Sequence, residues 1–554
     1  MDINRYAMNS QLRCTTWNIA TINDNPFEYY MDSSNTSYSH MLNAVEKLID
    51  MPSARECTLD ECMPPRFISG LFAHMHKRPW YGVDKVHELW ENTLKHQFIV
   101  SDFLKNAEIG RKRLISMPGR MTNTVSTPSG KSYRPSVISP YTGPALASKT
   151  VWSRAWLRFM FDVYKDASPH CSRLSLIPRA KYPALTAEEE KISVPLQTLY
   201  LALFDCVLIH LLDLCAPKTW RSVRKQIVHT CIHQKEKNTL KLLSKRYCDN
   251  DVLCLQEVAA SFVTMLRTDK RMSKQYVCVA PASMDTKRDQ NSVLLISKQR
   301  FDTNTLMECT DNVLHRGSPL NRKKVQPGDL VAVTVTERTT GLSHLIASFH
   351  GDTNGLATIN IVQALCSMRK HHQSNVHALI IGIDANSYHC KKTNKTRGKY
   401  LHVTDLQKVC NSLGLSSCWG HRPKWSNCYT TGTARTFLQP QLNKAIRHCD
   451  IHKTGIVESA FQPKDFILVS KDMYTLVSGK TTKDNTGKGQ YREGILFPTI
   501  EFPSDHAIVT TMYQPNMSSS SSHVRTRRTR GGNDYMRLSH SMNGTLKKRR
   551  QGGI

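Results

Sequence analysis

The strongest constraint on the fold is a series of short apolar runs, typical of buried β-strands, between Leu240 and Tyr513. These runs are DVLCLQEV, QYVCVA, NSVLLIS, LVAVTVT, HLIASFH, HALIIGIDAN, DFILVS and HAIVTTM. Stretches with a helical pattern, such as TINIVQALCSMRKH and TDLQKVCNSLG, separate some of them. Many short strands with a few helices between them predict two β-sheets flanked by helices.

The charge of the chain indicates the class of its partner. Its 554 residues include 75 Lys and Arg against 45 Asp and Glu, a formal net charge of +30. Such an excess attracts polyanions, so we expect nucleic acid as the substrate, with anionic lipid as the second choice. Apolar residues make up 40% and charged residues 22% of the chain, which excludes wholesale disorder, collagen and coiled coil.

The 17 cysteines indicate a reducing compartment. They are scattered and form no CxxC pair, and the first residues, MDINRYAMNS, lack the apolar core of a signal peptide. We therefore expect free thiols and an intracellular location, in the nucleus or the cytoplasm. Cys57 with Cys62, and His229 with His233, have some metal-ligand character. Because neither pair is accompanied by a second pair of metal ligands at a recognisable spacing, we interpret both as ordinary structural residues.

Residues 196–216 form an apolar segment long enough to span a bilayer. However, Asp205, His210 and Asp213 lie inside it, and an Asp near the centre of a membrane helix costs about 2.5–3.5 kcal/mol. The segment therefore predicts a buried helix and no membrane span.

Composition divides the chain into four stretches. Residues 11–30 and 241–513 contain the strand-like runs and are predicted to form one sandwich domain. Residues 31–240 are mostly helical in pattern and form an insertion, in which the basic and Ser/Thr/Pro-rich stretch 111–150 predicts a flexible loop. Residues 518–554 begin with five serines and continue with nine Lys or Arg and one acid, so they predict a disordered basic tail.

Polar side chains stand where the predicted strands begin or end. Open α/β sheets bind ligands at strand ends, because side chains there project beyond the packed core. The residues are Asn18 after TTW, Glu257 after VLCLQ, His350 after LIASF, Asp384 and Asn386 after LIIGI, and Asp505 and His506 before AIV.

In this order, TWNI, LQEV, the strand-end His, DxN and SDH resemble the motifs of the endonuclease/exonuclease/phosphatase superfamily. Lys464-Asp465-Phe466-Ile467 in PKDFILVS also resembles the IDYI strand of that superfamily. The resemblance covers residues 11–30 and about 240–513. It implies the deoxyribonuclease-I-like fold, an α/β (α+β) four-layer sandwich of two packed mixed β-sheets flanked by helices. Glu257 follows Asn18 by 239 positions, where the family has a few tens between these motifs, and this separation marks the insertion.

The resemblance implies a metal site. Glu257 would be the principal ligand of Mg²⁺, or of Mn²⁺, and Asn18 would complete or orient the ligand shell. Asp505 would reach the same site or brace it. This agrees with the preference of Mg²⁺ for one or two carboxylates together with waters and substrate phosphate.

The resemblance also implies catalytic roles in phosphodiester hydrolysis. Asp384 would hold the attacking water as base or orienter, and Asn386 would donate to the phosphate. His350 and His506 would stabilise the developing negative charge, with Asp465 raising the pKa of His506 and fixing its orientation.

The loop between the DxN and IDYI-like motifs contains candidate substrate contacts. Arg435 has the chemistry to clamp a phosphate and Phe437 to stack on a base. An ordinary Arg-bearing loop is the alternative.

We therefore expect a Mg²⁺-dependent phosphodiesterase or nuclease. An RNA 3′-end exonuclease of the deadenylase kind and an enzyme that processes DNA ends both fit the motifs. Two alternatives stay open: a phosphatase acting on a small phosphorylated molecule or a lipid headgroup, and a non-catalytic nucleic-acid-binding protein on a nuclease fold.

Overall fold

Two β-sheets lie face to face in the computed structural model, which describes residues 11–52, 56–127, 130–162, 170–285, 288–316, 324–371, 375–390, 398–447 and 460–516. The predicted tail, 518–554, lies outside the described residues. The strands, in chain order, are β1 (Leu12–Asn18), β2 (Thr124–Thr127), β3 (Gly130–Tyr133), β4 (Val252–Val258), β5 (Tyr276–Val279), β6 (Asn291–Ser297), β7 (Phe301–Glu308), β8 (Leu330–Glu337), β9 (Ser343–His350), β10 (Ala378–Asp384), β11 (Leu415–Ser417), β12 (Thr431–Gly432), β13 (Phe461–Gln462), β14 (Asp465–Ser470), β15 (Tyr474–Leu476), β16 (Thr482–Asp484) and β17 (Ile508–Pro515).

Both large sheets are mixed. The first has the order β15-β17-β1-β4-β6-β5, with β16 also paired to β17, and the second has the order β11-β14-β10-β9-β8-β7. At the centre of the first, β1 runs parallel to β4 and antiparallel to β17. At the centre of the second, β10 runs parallel to β9 and antiparallel to β14.

The helices of the described residues belong to two regions. Those of the region between β1 and β4 are α1 (Thr36–Asp50), α2 (Leu59–Cys62), α3 (Phe67–His76), α4 (Val83–Asn92), α5 (Ala107–Arg111), α6 (Ser116–Thr122), α7 (Lys149–Phe161), α8 (Ala187–Lys191), α9 (Ser193–Cys215), α10 (Trp220–Ile227) and α11 (Lys235–Arg246). Those of the later chain are α12 (Ala260–Thr268), α13 (Lys270–Gln275), α14 (Thr310–Arg316), α15 (Thr358–Lys370) and α16 (Val403–Ser412).

The alternation of apolar residues along the strands explains the layers. In β10, Ile380 points into the core between the two sheets, whereas Ile381 and Ile383 point to the core beneath α14, α15 and α16. On the outer face of the first sheet, Leu253 and Leu255 pack under α11, α12 and α13. The result is the predicted four-layer sandwich of two mixed sheets flanked by helices.

Helix α9 is the core of the insertion. It is long and apolar enough to cross a membrane, but 78% of its most apolar window is buried inside the structure. Asp205, near its middle, is fully buried and accepts hydrogen bonds from Arg134 Nε and Trp156 Nε1, both at 2.8 Å. The predicted buried helix is therefore what the structure contains.

The prediction of a flexible loop at 111–150 is wrong. The described part of this stretch contains α6 and a hairpin of β2 and β3. Its Arg134 is fully buried, because it is paired with Asp205 and also donates to Gly119 O at 2.8 Å and Thr122 Oγ1 at 2.7 Å. The sequence pattern predicts that Arg134 is solvated, but the buried carboxylate of Asp205, on a helix distant in sequence, neutralises its charge.

The predicted boundary at residue 240 divides a helix of the sandwich. Parallel neighbours such as β1 and β4 need a crossover that carries the chain back to the opposite end of the sheet. Helix α11 provides it: Lys235 Nζ donates to Ala20 O just beyond β1, while Leu243 packs on the outer face of the first sheet. The insertion therefore ends before Lys235, and α11 belongs to the sandwich.

A glycine allows the two sheets to approach each other closely below the ends of their central strands. A Cβ atom at Gly382 in β10 would lie 2.3 Å from Cys254 Cβ and 2.6 Å from Cys254 Sγ in β4. We expect Gly382→Ala to lower the free energy of unfolding by about 1–3 kcal/mol, because the sheets must separate to admit the methyl group. Urea denaturation measures this difference.

Gly70→Ala is the matched control. The added Cβ would meet Leu157 Cδ1 at an ordinary 3.7 Å inside α3, so we expect no loss of stability. Equal stability of wild type and Gly382→Ala would contradict the role assigned to the close approach.

Candidate active site

The register of the strands gathers the predicted residues at one end of the sandwich. Asp384, the last residue of β10, stands opposite His350 of β9 and Asp465 of β14. In the other sheet, Asn18 ends β1 opposite Gln256, one residue before Glu257. The motifs of both sheets therefore meet where their central strands end.

Asn18 joins the two sheets through its side-chain amide. Its Nδ2 donates to Glu257 Oε1 at 3.1 Å and to Asp384 Oδ2 at 2.9 Å. Its Oδ1 accepts a hydrogen bond from Ala20 N at 3.0 Å, which fixes the direction of the amide. Asn18 is fully buried, so it orients the two carboxylates from beneath.

His506 lies between two carboxylates. Its Nδ1 is 2.9 Å from Asp465 Oδ2 and its Nε2 is 3.6 Å from Asp384 Oδ2. Burial opposes a charge on the ring, but these carboxylates outweigh it and raise the pKa of His506 from its usual 6.5 to about 10. His506 is therefore an imidazolium at neutral pH.

Asp384 stays ionised in this environment. Burial alone would raise its pKa, but the charges of His506, His350 and Lys464 and the hydrogen bond from Asn18 bring it below its usual value. Its Oδ1 also accepts a hydrogen bond from Asn386 N at 2.9 Å.

His350 completes the group from the second sheet. Its Nε2 lies 3.3 Å from Glu257 Oε1 and 3.7 Å from Asp384 Oδ2. Asn386 Nδ2 is 3.5 Å from the same ring nitrogen and donates to Gly351 O at 2.8 Å. His350 thus faces both carboxylates that Asn18 holds.

Three residues of this region have a left-handed backbone that side-chain-bearing residues seldom adopt. The φ angles are 45° at Ala20, 52° at Glu257 and 47° at Asn386. Such conformations cost about 1–3 kcal/mol each and persist only where the surroundings impose them. At Glu257 the register of β4 against β6 also shifts. The backbone thus turns at the points where site residues leave their strands.

Four neighbours were missed by the sequence analysis. Gln290 Nε2 donates to Glu257 Oε2 at 2.9 Å, and Lys464 Nζ donates to Asn386 Oδ1 at 2.7 Å. Lys235 is 4% exposed, and its charge interacts with those of Asp505 and Glu257. Glu28 pairs with Arg435. Lys464 directly precedes Asp465 in the motif PKDFILVS, so the sequence could have indicated its place near the site. The other three residues lie in segments without a recognisable motif.

The predicted substrate-contacting loop lies beside this group. Arg435 Nη1 is 2.9 Å from Glu28 Oε1, and the guanidinium stands over the ring of Tyr29 at 5.5 Å. Its charge also interacts with that of Asp505, which is half-buried. Phe437 is half-buried against the core of the insertion, so part of its ring already contacts protein.

The residues present fit a magnesium ion at Glu257. Its carboxylate and that of Asp505 are hard oxygen donors, and the Glu257 side chain is 19% exposed, which leaves room for water ligands. Asp384, Asp465 and His506 also have ligand atoms within 4.8 Å of one another. A histidine held as imidazolium has no lone pair to give, so that triad is better described as an ion-paired network.

Comparisons with known proteins give two results. A sequence profile described as a domain of unknown function (DUF8234) matches residues 56–225, within the insertion. A search of the curated proteins found no match.

Among solved structures, the chain is similar to ANGEL2, a 2′,3′-cyclic phosphatase, in complex with adenosine-2′,3′-vanadate, at 13% identity and a TM-score of 0.33, covering 50% of this chain and 85% of that one. It is similar to the human Nocturnin catalytic domain with bound sulfate, at 16% identity, a TM-score of 0.32 and coverages of 52% and 90%. It is also similar to D. rerio TDP2 complexed with single-strand DNA product, at 12% identity and a TM-score of 0.30. That match covers 50% of this chain and 90% of the other.

The charge of His506 has a consequence for stability. Because folding raises its pKa from 6.5 to about 10, protonation stabilises the fold fully below about pH 6.5, and this stabilisation is lost as the pH rises towards 10. We expect the difference in unfolding free energy between wild type and His506→Gln to be largest near pH 6 and to shrink towards pH 10. Urea denaturation at several pH values measures this difference.

His229→Gln is the control, because His229 is exposed and we expect no such trend. A difference between wild type and His506→Gln that stays constant from about pH 6 to 10 would contradict the ion-paired network.

Proposed function

We propose that the protein is a Mg²⁺-dependent phosphodiesterase that hydrolyses nucleic-acid phosphodiester bonds. One observation carries the proposal: Asn18, Glu257, His350, Asp384 and His506 come from the ends of separate strands in two sheets, yet lie within ion-pair or hydrogen-bond reach of one another. Such a group supplies an oriented carboxylate and cationic or polar donors, which in-line attack on a phosphodiester requires.

Asp384 orients the attacking water. Its lowered pKa makes it a weak proton acceptor, so it acts mainly by holding the water with a fixed, ionised oxygen. Asn18 and the backbone N–H of Asn386 hold the carboxylate itself, at 2.9 Å each. Of the two predicted roles, base and orienter, the lowered pKa of Asp384 supports that of orienter.

His506 and His350 stabilise negative charge that develops on the phosphoryl oxygens. His506 carries its positive charge before the substrate arrives, because Asp465 and Asp384 hold the proton on the ring. A donor set in place beforehand costs no reorganisation during the reaction. Asn386, held by Lys464 and Gly351, is the neighbouring amide donor for the phosphate.

Glu257 and Asp505 would hold Mg²⁺, with Asn18 orienting Glu257 from below. The bound ion would neutralise charge on the substrate phosphate. The chain's own contribution is to fix Glu257, through Asn18 at Oε1 and Gln290 at Oε2.

The net charge of +30 favours a polynucleotide as the substrate. Arg435 is the proposed phosphate contact outside the catalytic group, with Phe437 beside it. The motifs leave RNA ends and DNA ends as two candidate substrates of the same chemistry.

Replacing the metal-binding carboxylate tests the proposal. Glu257→Gln keeps the shape of the side chain and removes its charge, so we expect hydrolysis to fall by about 10³-fold or more while the fold is retained. The assay uses labelled single-stranded RNA, single-stranded DNA, the diester bis-p-nitrophenyl phosphate and the monoester p-nitrophenyl phosphate, each with Mg²⁺ and with EDTA.

Glu88→Gln, an exposed carboxylate on α4, is the matched control and should leave activity unchanged. Wild-type activity in Glu257→Gln would contradict the site. Hydrolysis of phosphomonoesters without cleavage of any diester would favour the phosphatase alternative, and tight binding of polynucleotide without hydrolysis would favour the non-catalytic one.

Replacing Asp384 separates catalysis from binding. Asp384→Asn loses the ionised oxygen that orients the water but keeps the neighbouring phosphate contacts, so we expect turnover to be lost and the Kd for polynucleotide to change by less than about tenfold. Fluorescence anisotropy with a labelled oligonucleotide measures binding. Joint loss of turnover and binding would assign Asp384 a structural role instead.

A further inference from the structure

Three thiols and one imidazole meet inside the insertion. The ligand atoms of Cys57, Cys62 and His210 all lie within 4.8 Å of one another, and Cys57 Sγ is 3.4 Å from His210 Nε2. The thiol of Cys62 also interacts with those of both Cys57 and Cys206. Neither the catalytic group nor the sequence motifs of the sandwich account for this cluster.

Two separate elements bring the four residues together. Cys206 and His210 are four positions apart on α9 and therefore lie on one face of that helix. Cys62 is the last residue of α2, and Cys57 precedes the helix by two residues. Cys206 Sγ also donates to Cys62 O at 3.7 Å, so α2 is packed directly against α9.

We infer that Cys57, Cys62, Cys206 and His210 form a tetrahedral zinc site. Three thiolates and one imidazole are a ligand set that Zn²⁺ takes in structural sites. Thiolate sulfurs about 2.3 Å from one tetrahedral ion lie about 3.8 Å apart. The ligand atoms of Cys57, Cys62 and His210 already lie within 4.8 Å of one another, and Cys206, whose Sγ is 3.7 Å from Cys62 O, would turn towards them to complete the set.

The second half of the ligand set explains why the sequence did not predict the site. Cys57 and Cys62 lack a second pair at a familiar spacing because their partners lie on α9, inside the segment whose hydrophobicity dominates its pattern. Only the packing of α2 on α9 brings the CxxxxC and CxxxH halves together.

The charges around the cluster suit an occupied site. Zinc binding would release the three thiol protons, and three thiolates with one Zn²⁺ carry a net charge of −1. Lys149 Nζ donates to Cys62 O at 2.6 Å and stands 3.3 Å from His210 Nδ1, so it supplies the balancing positive charge. With Nε2 on the metal, the ring proton sits at Nδ1, so Lys149 Nζ would turn away from Nδ1 and keep its hydrogen bond to the Cys62 carbonyl.

Four protein ligands leave no open position, so the ion is structural rather than catalytic. It ties residues 57–62 to α9, the central helix of the insertion. Its loss should lower the melting temperature of the protein.

The bound metal is measured directly on the full chain. The protein is expressed with zinc in the medium and purified under reducing conditions, and zinc per chain is determined by mass spectrometry of the metal. We expect about one zinc per wild-type chain and, in Cys57→Ser and in His210→Asn, a loss on the order of tenfold or more. These two ligands are only half-buried, so their replacement disturbs packing least.

Two controls separate this site from other metal binding. Cys215→Ser, on the same helix, and Glu257→Gln, in the catalytic group, should both retain the zinc. Replacement of zinc by Co²⁺ in the wild type should give thiolate-to-cobalt charge-transfer absorption. This measurement uses only the wild-type protein, so it does not depend on whether a variant folds.

Three results would overturn the inference: wild-type protein without zinc and without the cobalt absorption, full zinc content in both ligand variants, or a disulfide among Cys57, Cys62 and Cys206 in the native protein. None of these results depends on whether the chain hydrolyses phosphodiesters.

Discussion

The close approach of the two sheets at Gly382 is the constraint on which the arrangement of the candidate active site depends. Without a side chain there, β10 lies directly against Cys254 of β4. Just above, Gln256 Nε2 donates to Ser348 Oγ at 3.0 Å, which fixes one sheet against the other. Only at this spacing can the short amide of Asn18 reach a carboxylate from each sheet.

The same spacing forces buried charges into contact, and their balance determines what the site can do. Asp384 and Asp465 are both almost fully buried, and one imidazolium between them offsets their charges. Removing either carboxylate would leave His506 with a single partner and weaken its hold on the proton. A charged donor and an ionised acceptor are thus arranged before any substrate binds.

Sequence reasoning predicted the juxtapositions that the strands themselves specify. Asn18, Glu257, His350, Asp384 and His506 could be found because each follows or precedes an apolar run, and the sheet register brings such positions together. Lys235 and Glu28 could not, because they come from segments flanking the insertion whose path depends on tertiary packing. Arg134 was misjudged for a related reason: its basic, Ser/Thr-rich surroundings gave no sign of the buried Asp205 on another helix. The boundary at 240 failed because a crossover helix has the same pattern as any helix of the insertion.

The inserted region is continuous in sequence, but it is not a detachable module. Its apolar core includes Tyr429, Ala434, Phe461 and Leu496, which belong to the later chain beside the predicted substrate loop. Removing the insertion would expose those side chains and leave an apolar surface next to the proposed catalytic group. The two regions are therefore expected to change together: a substitution that destabilises the helical region also destabilises the chain beside the candidate active site. Neither region can be exchanged for an unrelated one without redesigning the core they share.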